Sequence, residues 1–256
     1  MYQSKKIIAF DLDGTLTESK QALTADVAEA LVALSKIKKV AIISGGSFQQ
    51  YKKQFLPYFM EFTNGADVSF ENLILMPTSG TEVYEYDKIK KDWLLTGHEI
   101  FPEEIKKKVR EVLARFVASN KYGIPAESWG ERVEDRGNQI TLSALGQQAP
   151  LENKKPWDPD QKKRQIMKAE LEAEIPEVSV SIGGETSIDV LPKGFNKAVS
   201  LERLIKKLGY TISDLLYVGD ALFPGGNDYA VIEDHIEAVE VSGPAETISE
   251  IKKMML

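Results

Sequence analysis

Short uninterrupted apolar runs alternate with amphipathic stretches over the first eighty residues. Ile-Ile-Ala-Phe at 7–10 stops at Asp11, as expected of a strand buried on both faces of a parallel sheet. Thr24 stands at a helix N-cap position ahead of the apolar stripe Val27, Leu31 and Leu34. A second buried run, 40–43, is closed by Ser44-Gly45-Gly46-Ser47; a helical stretch over 49–58 and a third run over 72–76 follow. Strand, helix, strand, helix, strand is the rhythm of a parallel α/β sheet.

After Gly80 the period changes. Residues 82–86 alternate with period two, and 101–117 read as an amphipathic helix. Residues 132–145 alternate again around a Gly137-Asn138 turn, and 161–173 form a charged helix. Short strands at 178–182 and 187–191 flank Gly183-Gly184, which completes the pattern of an antiparallel sheet with helices. The α/β rhythm then resumes with helix 197–208, strand 215–218, a helix after Pro224, strand 238–241 and helix 245–254. This organisation predicts an α/β core made of 1–82 and 190–256, with a second domain, 83–189, inserted in its middle.

Composition narrows the function classes. Across 256 residues, 32 Lys and Arg face 39 Asp and Glu, a net charge of −7 that argues against a nucleic-acid partner. There is no cysteine, which removes disulfides, thiolate metal sites and cysteine nucleophiles. The apolar run near the N-terminus is too short for a signal h-region or a membrane span. A soluble, cytoplasmic enzyme with no membrane partner is expected.

The polar residues at the strand ends carry the chemistry. Asp11 and Asp13 are two apart in extended chain and so share a face, at the strand end where open α/β sheets place ligands. Two carboxylates there repel unless a cation or a shared proton intervenes, and hard oxygen donors favour Mg²⁺. One carboxylate can then attack phosphorus while its neighbour handles protons. Asp220, in Val218-Gly219-Asp220, and Asp228, after Pro224-Gly225-Gly226-Asn227, offer further metal oxygens in glycine-rich turns. Lys197 opens a helix, where its charge and the helix dipole both suit phosphoryl oxygens. Ser44, with Gly45, Gly46 and Ser47, offers a hydroxyl and backbone amides for a phosphate.

In this order, Asp11-Leu12-Asp13-Gly14-Thr15, Ser44, Lys197 and Gly219-Asp220 with Asn227-Asp228 resemble the haloacid dehalogenase superfamily. The resemblance implies a Rossmann-like core, an aspartyl-phosphate intermediate and Mg²⁺. Asp11 would be the nucleophile and Asp13 the general acid/base, with Ser44 and Lys197 on the transferring phosphoryl group. Mg²⁺ would be held by Asp11, Asp220, the main-chain carbonyl of Asp13 and, in support, Asp228.

A closer resemblance runs through Ser181-Ile182-Gly183-Gly184, Ser187-Ile188-Asp189-Val190, Pro192, Gly194 and Lys197, with Arg136, Ser143 and Gly146. These are similar to eukaryotic-type phosphomannomutases and imply their inserted mixed α/β cap (subfamily IIB). The cap would open and close about 80–81 and 191–194, and a homodimer through the cap is expected. A small phosphorylated sugar would meet Lys20, Gly45, Gly46, Ser47, Arg132, Arg136, Ser143, Ser181, Gly183 and Asp189.

The departures concern the far phosphate, which mutases grip with cap arginines through planar forks. Gln147 stands where the family has Arg, Trp129 replaces an earlier arginine, and Lys20 replaces the one near the nucleophile loop. Ser44 sits where mutases tend to have glycine. These changes favour a Mg²⁺-dependent phosphatase of a small sugar or sugar-acid phosphate. A phosphohexomutase interconverting hexose 1- and 6-phosphates is the alternative. Arg132 and Arg136 also have acids nearby (Glu131, Glu134, Asp135) with which to form surface salt bridges.

Overall fold

Apolar runs with no polar break can only be satisfied between two covering layers, and they become the central strands. The computed structural model describes residues 2–18, 21–64 and 68–256. Eleven strands run through the described chain: β1 (Ile7–Asp11), β2 (Lys39–Ile43), β3 (Leu73–Met76), β4 (Glu82–Asp87), β5 (Asp92–His98), β6 (Val133–Asp135), β7 (Ile140–Ser143), β8 (Val178–Gly183), β9 (Ser187–Pro192), β10 (Leu215–Gly219) and β11 (Ala238–Glu240). They form a seven-stranded sheet of order β11-β10-β1-β2-β3-β4-β5 and a separate four-stranded sheet of order β6-β7-β9-β8.

In the larger sheet β11, β10, β1, β2 and β3 are parallel, while β4 and β5 are antiparallel additions. On one face Ile8, Phe10, Val40, Ile42, Leu216 and Val218 pack with Val27, Leu31 and Leu34 of the helix Ala25–Ser35 and with Ile251 of the helix Pro244–Met254. On the other, Ile7, Ala9, Ala41, Ile43 and Tyr217 pack with Ala198, Leu201 and Leu204 of the helix Lys197–Lys207. The order of strand succession switches between the parallel neighbours β1 and β10: from β1 the chain goes on to β2 on one side, and from β10 to β11 on the other. The C-terminal ends of these two strands therefore flank a crevice of the kind that open α/β sheets use for ligands.

The four-stranded sheet is antiparallel throughout. Ile140, Leu142, Val178, Val180, Ile188 and Val190 line its apolar face, with Val109, Leu113 and Phe116 of the helix Glu103–Ala118 and Met167 and Leu171 of the helix Lys162–Glu174. Arg164 is buried here with Asp158, its Nε donating to Asp158 Oδ2 at 2.9 Å. The same guanidinium donates to the carbonyl of Gly184 at 2.6 Å and so ties down the β8–β9 turn.

The chain divides into one unit of Met1–His98, Lys197–Pro224 and Asp228–Leu256, and another of Glu99–Asn196 with Gly225–Asn227. Both boundaries differ from those expected at 83 and 189. Alternation along 82–86 reports one-sided burial, not which sheet the strand joins. β4 pairs with β3, Phe48 stacks on Tyr84 with ring centroids 3.7 Å apart, and Trp93 lies in the core of the larger sheet. At the far end β9 keeps pairing with β8 to its last residue, Pro192 opposite Val178, so the second unit runs on past 189. Among the described residues, no helix is long and apolar enough to cross a membrane.

Candidate active site

β1 ends at Asp11, which is 2% exposed, and its register partner in β2 is Ile43, so Ser44 directly follows the neighbour of Asp11. β10 ends at Gly219, which sets Asp220 at the head of the next loop. The first residue of the helix Lys197–Lys207 sends its ammonium to Asp11 Oδ1 at 2.5 Å and to Asp228 Oδ1 at 2.6 Å. Asp228 also accepts from the Tyr217 hydroxyl at 2.6 Å and, more weakly, from the Ala221 N–H at 3.3 Å. Thr15 Oγ1 donates to Asp220 Oδ1 at 3.3 Å. Two glycines make room for these carboxylates. A Cβ on Gly14, whose φ is +91°, would overlap the Asp220 carboxylate, and one on Gly219 would overlap that of Asp228.

Asp11, Asp220 and Asp228 each bring a carboxylate oxygen within 4.8 Å of the others. Burial pushes the Asp11 carboxyl well up; Lys197 opposes this, and the charges of Asp228 and Asp220 add to it. Burial, with Asp228, also raises Asp220. Burial alone would pull Lys197 down, but Asp11 and Asp228 outweigh it and keep the ammonium charged. Fully ionised, three carboxylates against one ammonium would carry a charge of about −2, the complement of a divalent cation. Asp11 Oδ2 is buried with no hydrogen-bond partner. An orphaned carboxylate oxygen inside a cluster of hard donors fits Mg²⁺, which Asp11, Asp220 and Asp228 would hold.

The carboxyl of Asp13 lies outside that cluster of carboxylates. Its Oδ1 accepts from Gln54 Nε2 at 2.8 Å and its Oδ2 from Gln50 Nε2 at 3.4 Å. Both glutamines come from the helix Phe48–Gln54, which Ser47 precedes, and Gln50 also donates to Gln54 Oε1 at 3.0 Å. A Cβ on Gly46 would meet Gln50 Oε1, so that glycine admits the glutamine. Ser44 is 3% exposed, and its Oγ accepts from the Gly46 N–H at 3.0 Å, which leaves its own proton to donate elsewhere.

The expected sugar-binding residues of the second unit gather partly. Ser143, Ser181, Gly183 and Asp189 lie on the polar face of the four-stranded sheet, Ser181 opposite Asp189 in the register. Asp189 Oδ1 accepts from Thr141 Oγ1 at 2.6 Å, and the Ser143 and Ser187 hydroxyls are 2.8 Å apart. The two arginines are engaged. Arg132 donates to the carbonyls of Ala144, at 3.0 Å, and of Pro125 and Glu127, at 2.5 Å each. Arg136 pairs with Glu134 at 2.7 Å, the salt bridge its acidic neighbours allowed. Lys20 lies outside the described residues.

Tyr217, Gln50, Gln54 and Ser187 were not singled out as site residues in the sequence. Only Ser187 had a signal, as part of the quoted Ser-Ile-Asp-Val motif. Tyr217 sits in an apolar run, and nothing along the chain marks the glutamines as partners of Asp13.

Against known proteins, the profile "Eukaryotic phosphomannomutase" matches residues 27–256. "Phosphomannomutase 2" of Dictyostelium discoideum is 30% identical over 97% of this chain and 96% of its own length. An IMP-bound mutant of Plasmodium falciparum IMP-nucleotidase shares the fold with a TM-score of 0.74 at 18% identity, covering 99% of this chain and 67% of that one. A haloacid dehalogenase-like hydrolase from Bacteroides thetaiotaomicron does so with a TM-score of 0.58 at 16% identity, over 96% and 99%.

Proposed function

The chain belongs to the eukaryotic phosphomannomutase family, with its haloacid dehalogenase-type phosphotransfer chemistry, and from that premise we propose a mutase that interconverts hexose 1- and 6-phosphates through Asp11. The observation that carries the reading is the Asp11 carboxylate itself. Lys197 fixes one of its oxygens while the other stays uncommitted among metal-ready acids, in a chain matched to mutases along almost its whole length. Hydrolysis led in the sequence reading; the match over residues 27–256 supports the alternative instead.

Asp11, Asp220 and Asp228 would hold Mg²⁺, which when bound would neutralise phosphoryl charge. Asp11 attacks phosphorus as the P–O bond to the sugar breaks, and Asp13 gives a proton to the departing sugar oxygen. The amides of Gln54 and Gln50 hold the Asp13 carboxyl in one orientation for that transfer. Lys197 and the free proton of Ser44 donate to phosphoryl oxygens as charge shifts among them. In the second half, Asp11 carries a phosphoryl group taken from a hexose 1,6-bisphosphate. Asp13 takes the proton from the free hydroxyl of a hexose monophosphate, whose oxygen accepts that group as its bond to Asp11 breaks and so regenerates a bisphosphate.

One observation favours hydrolysis as a second reading. The guanidiniums of Arg132 and Arg136 are spent on carbonyls and Glu134, and Gln147 replaces a fork. Without a grip on the far phosphate, water deprotonated by Asp13 would release the phosphoryl group. ³¹P NMR separates the two readings. Mannose 1-phosphate with Mg²⁺ and a trace of hexose 1,6-bisphosphate gives the 6-phosphate without inorganic phosphate if the protein is a mutase. Inorganic phosphate without isomer would overturn that reading in favour of the phosphatase.

A further inference from the structure

Behind Ser44 lies a turn in a costly conformation. Thr78 and Ser79 are consecutive, buried and left-handed, with φ of 50° and 56°, and Gly80 follows at 82°. Non-glycine residues rarely adopt that region, and such strain persists only where the surroundings over-determine it. The turn has a definite use. The N–H of Ser79 donates to the carbonyl of Ser44 at 2.8 Å, and the N–H of Thr78 donates to the carbonyl of Gly46, also at 2.8 Å. Both amides of the strained pair are thus spent on the loop that presents the Ser44 hydroxyl.

The over-determination comes from two hydroxyls. Thr81 Oγ1 donates back to the Thr78 carbonyl at 2.9 Å, within the turn. Ser200 Oγ donates to the Ser79 carbonyl at 2.8 Å from another element altogether. A serine inside a helix commonly returns its proton to a carbonyl one turn back. Ser200, 2% exposed, instead sends it out of the helix. That helix begins at Lys197, the residue bound to Asp11, so Ser200 lies about one turn beyond it. The contact is close enough that a Cβ on Gly80 would overlap Ser200.

We propose that Ser200 is a positioning residue for phosphoryl transfer: through the Ser79 carbonyl it holds the left-handed Thr78–Ser79 turn, which fixes the Ser44 loop relative to Lys197. The proposal rests on the phosphotransfer reading above, with Ser44 and Lys197 on different oxygens of the same phosphoryl group. It holds for mutase and phosphatase alike, so its test needs no sugar.

Beryllium trifluoride with Mg²⁺ mimics a phosphoryl group on an aspartate, and its three fluorines report separately in ¹⁹F NMR. Wild type, S44A, S200A and the double variant are titrated, with Mg²⁺ affinity and melting temperature measured alongside. S44A shifts the fluorine that its hydroxyl would hold. S200A shifts the same resonance and weakens the adduct about tenfold, the worth of one buried hydrogen bond, with Mg²⁺ affinity unchanged. The double variant binds no more weakly than S44A. If S200A only lowers the melting temperature, with affinity and resonance as in wild type, Ser200 is a structural hydroxyl and the proposal is wrong. Fully additive losses from S44A and S200A would also overturn it, because the two would then act independently. Wild type that never forms the adduct would remove the phosphotransfer reading, and the proposal with it.

Discussion

Tyr217 lies in the apolar strand β10 between Leu216 and Val218, where a sequence pattern reads it as core. Its body is core, but its hydroxyl donates to Asp228 at 2.6 Å beside the Lys197 ammonium. Tyr217→Phe keeps the packing and deletes that donor, which leaves the Asp228 carboxylate with one hydrogen bond fewer to fix it in the cluster. Mg²⁺ affinity should fall about tenfold while the fold is retained, as calorimetry and circular dichroism would show. An unchanged affinity would detach Tyr217 from the metal site. Asp11, Lys197 and Asp220 were legible in the sequence, because they end a strand, open a helix and directly follow a strand, so local chain geometry sets their places, and Asp228 was legible from its glycine-rich turn. Tyr217, Gln50 and Gln54 were not, since their partners are fixed by strand register and helix placement far along the chain.

At the scale of elements, uninterrupted apolar runs predicted the parallel strands to within a residue or two. The hairpin of β4 and β5 shows where such reading ends. Its alternation is real, but its aromatic face is claimed by Phe48 and Phe70, which stack on Tyr84 and Tyr86 and draw it onto the larger sheet. The turn just before it, Thr78–Gly80, has three consecutive positive φ values and no room for a Cβ at its glycine. Gly80→Ala adds a Cβ at φ +82° and against Ser200, so a loss of about 1–2 kcal/mol is expected from the backbone alone, and more from the overlap. Urea midpoints would measure it. A variant as stable as wild type would mean that the turn relaxes freely.

At the scale of the molecule, a chain of net charge −7 concentrates three carboxylates around one ammonium in its larger unit. Burial and mutual repulsion raise the Asp11 and Asp220 carboxyls, so at these two groups the folded protein without metal binds more protons than the unfolded chain. Their contribution to stability in EDTA is therefore fully present below the ordinary carboxylate range and is lost as pH rises through the raised values of these two groups. Mg²⁺ takes the place of those protons, so its affinity rises with pH over the same window and it restores the lost stability. Thermal melts across pH, with EDTA and with Mg²⁺, would show two curves that diverge as pH increases; parallel curves would count against the cluster as the metal site.

Asp11 is proposed to carry the phosphoryl group. Intact-protein mass spectrometry after acid quench, on enzyme mixed with hexose 1,6-bisphosphate and Mg²⁺, tests it most directly. A single added phosphoryl group is expected, mapping to the peptide that contains Asp11 and absent from Asp11→Asn. A phosphoryl group on any other residue, or an Asp11→Asn variant that still turns over sugar phosphates near the wild-type rate, would contradict it.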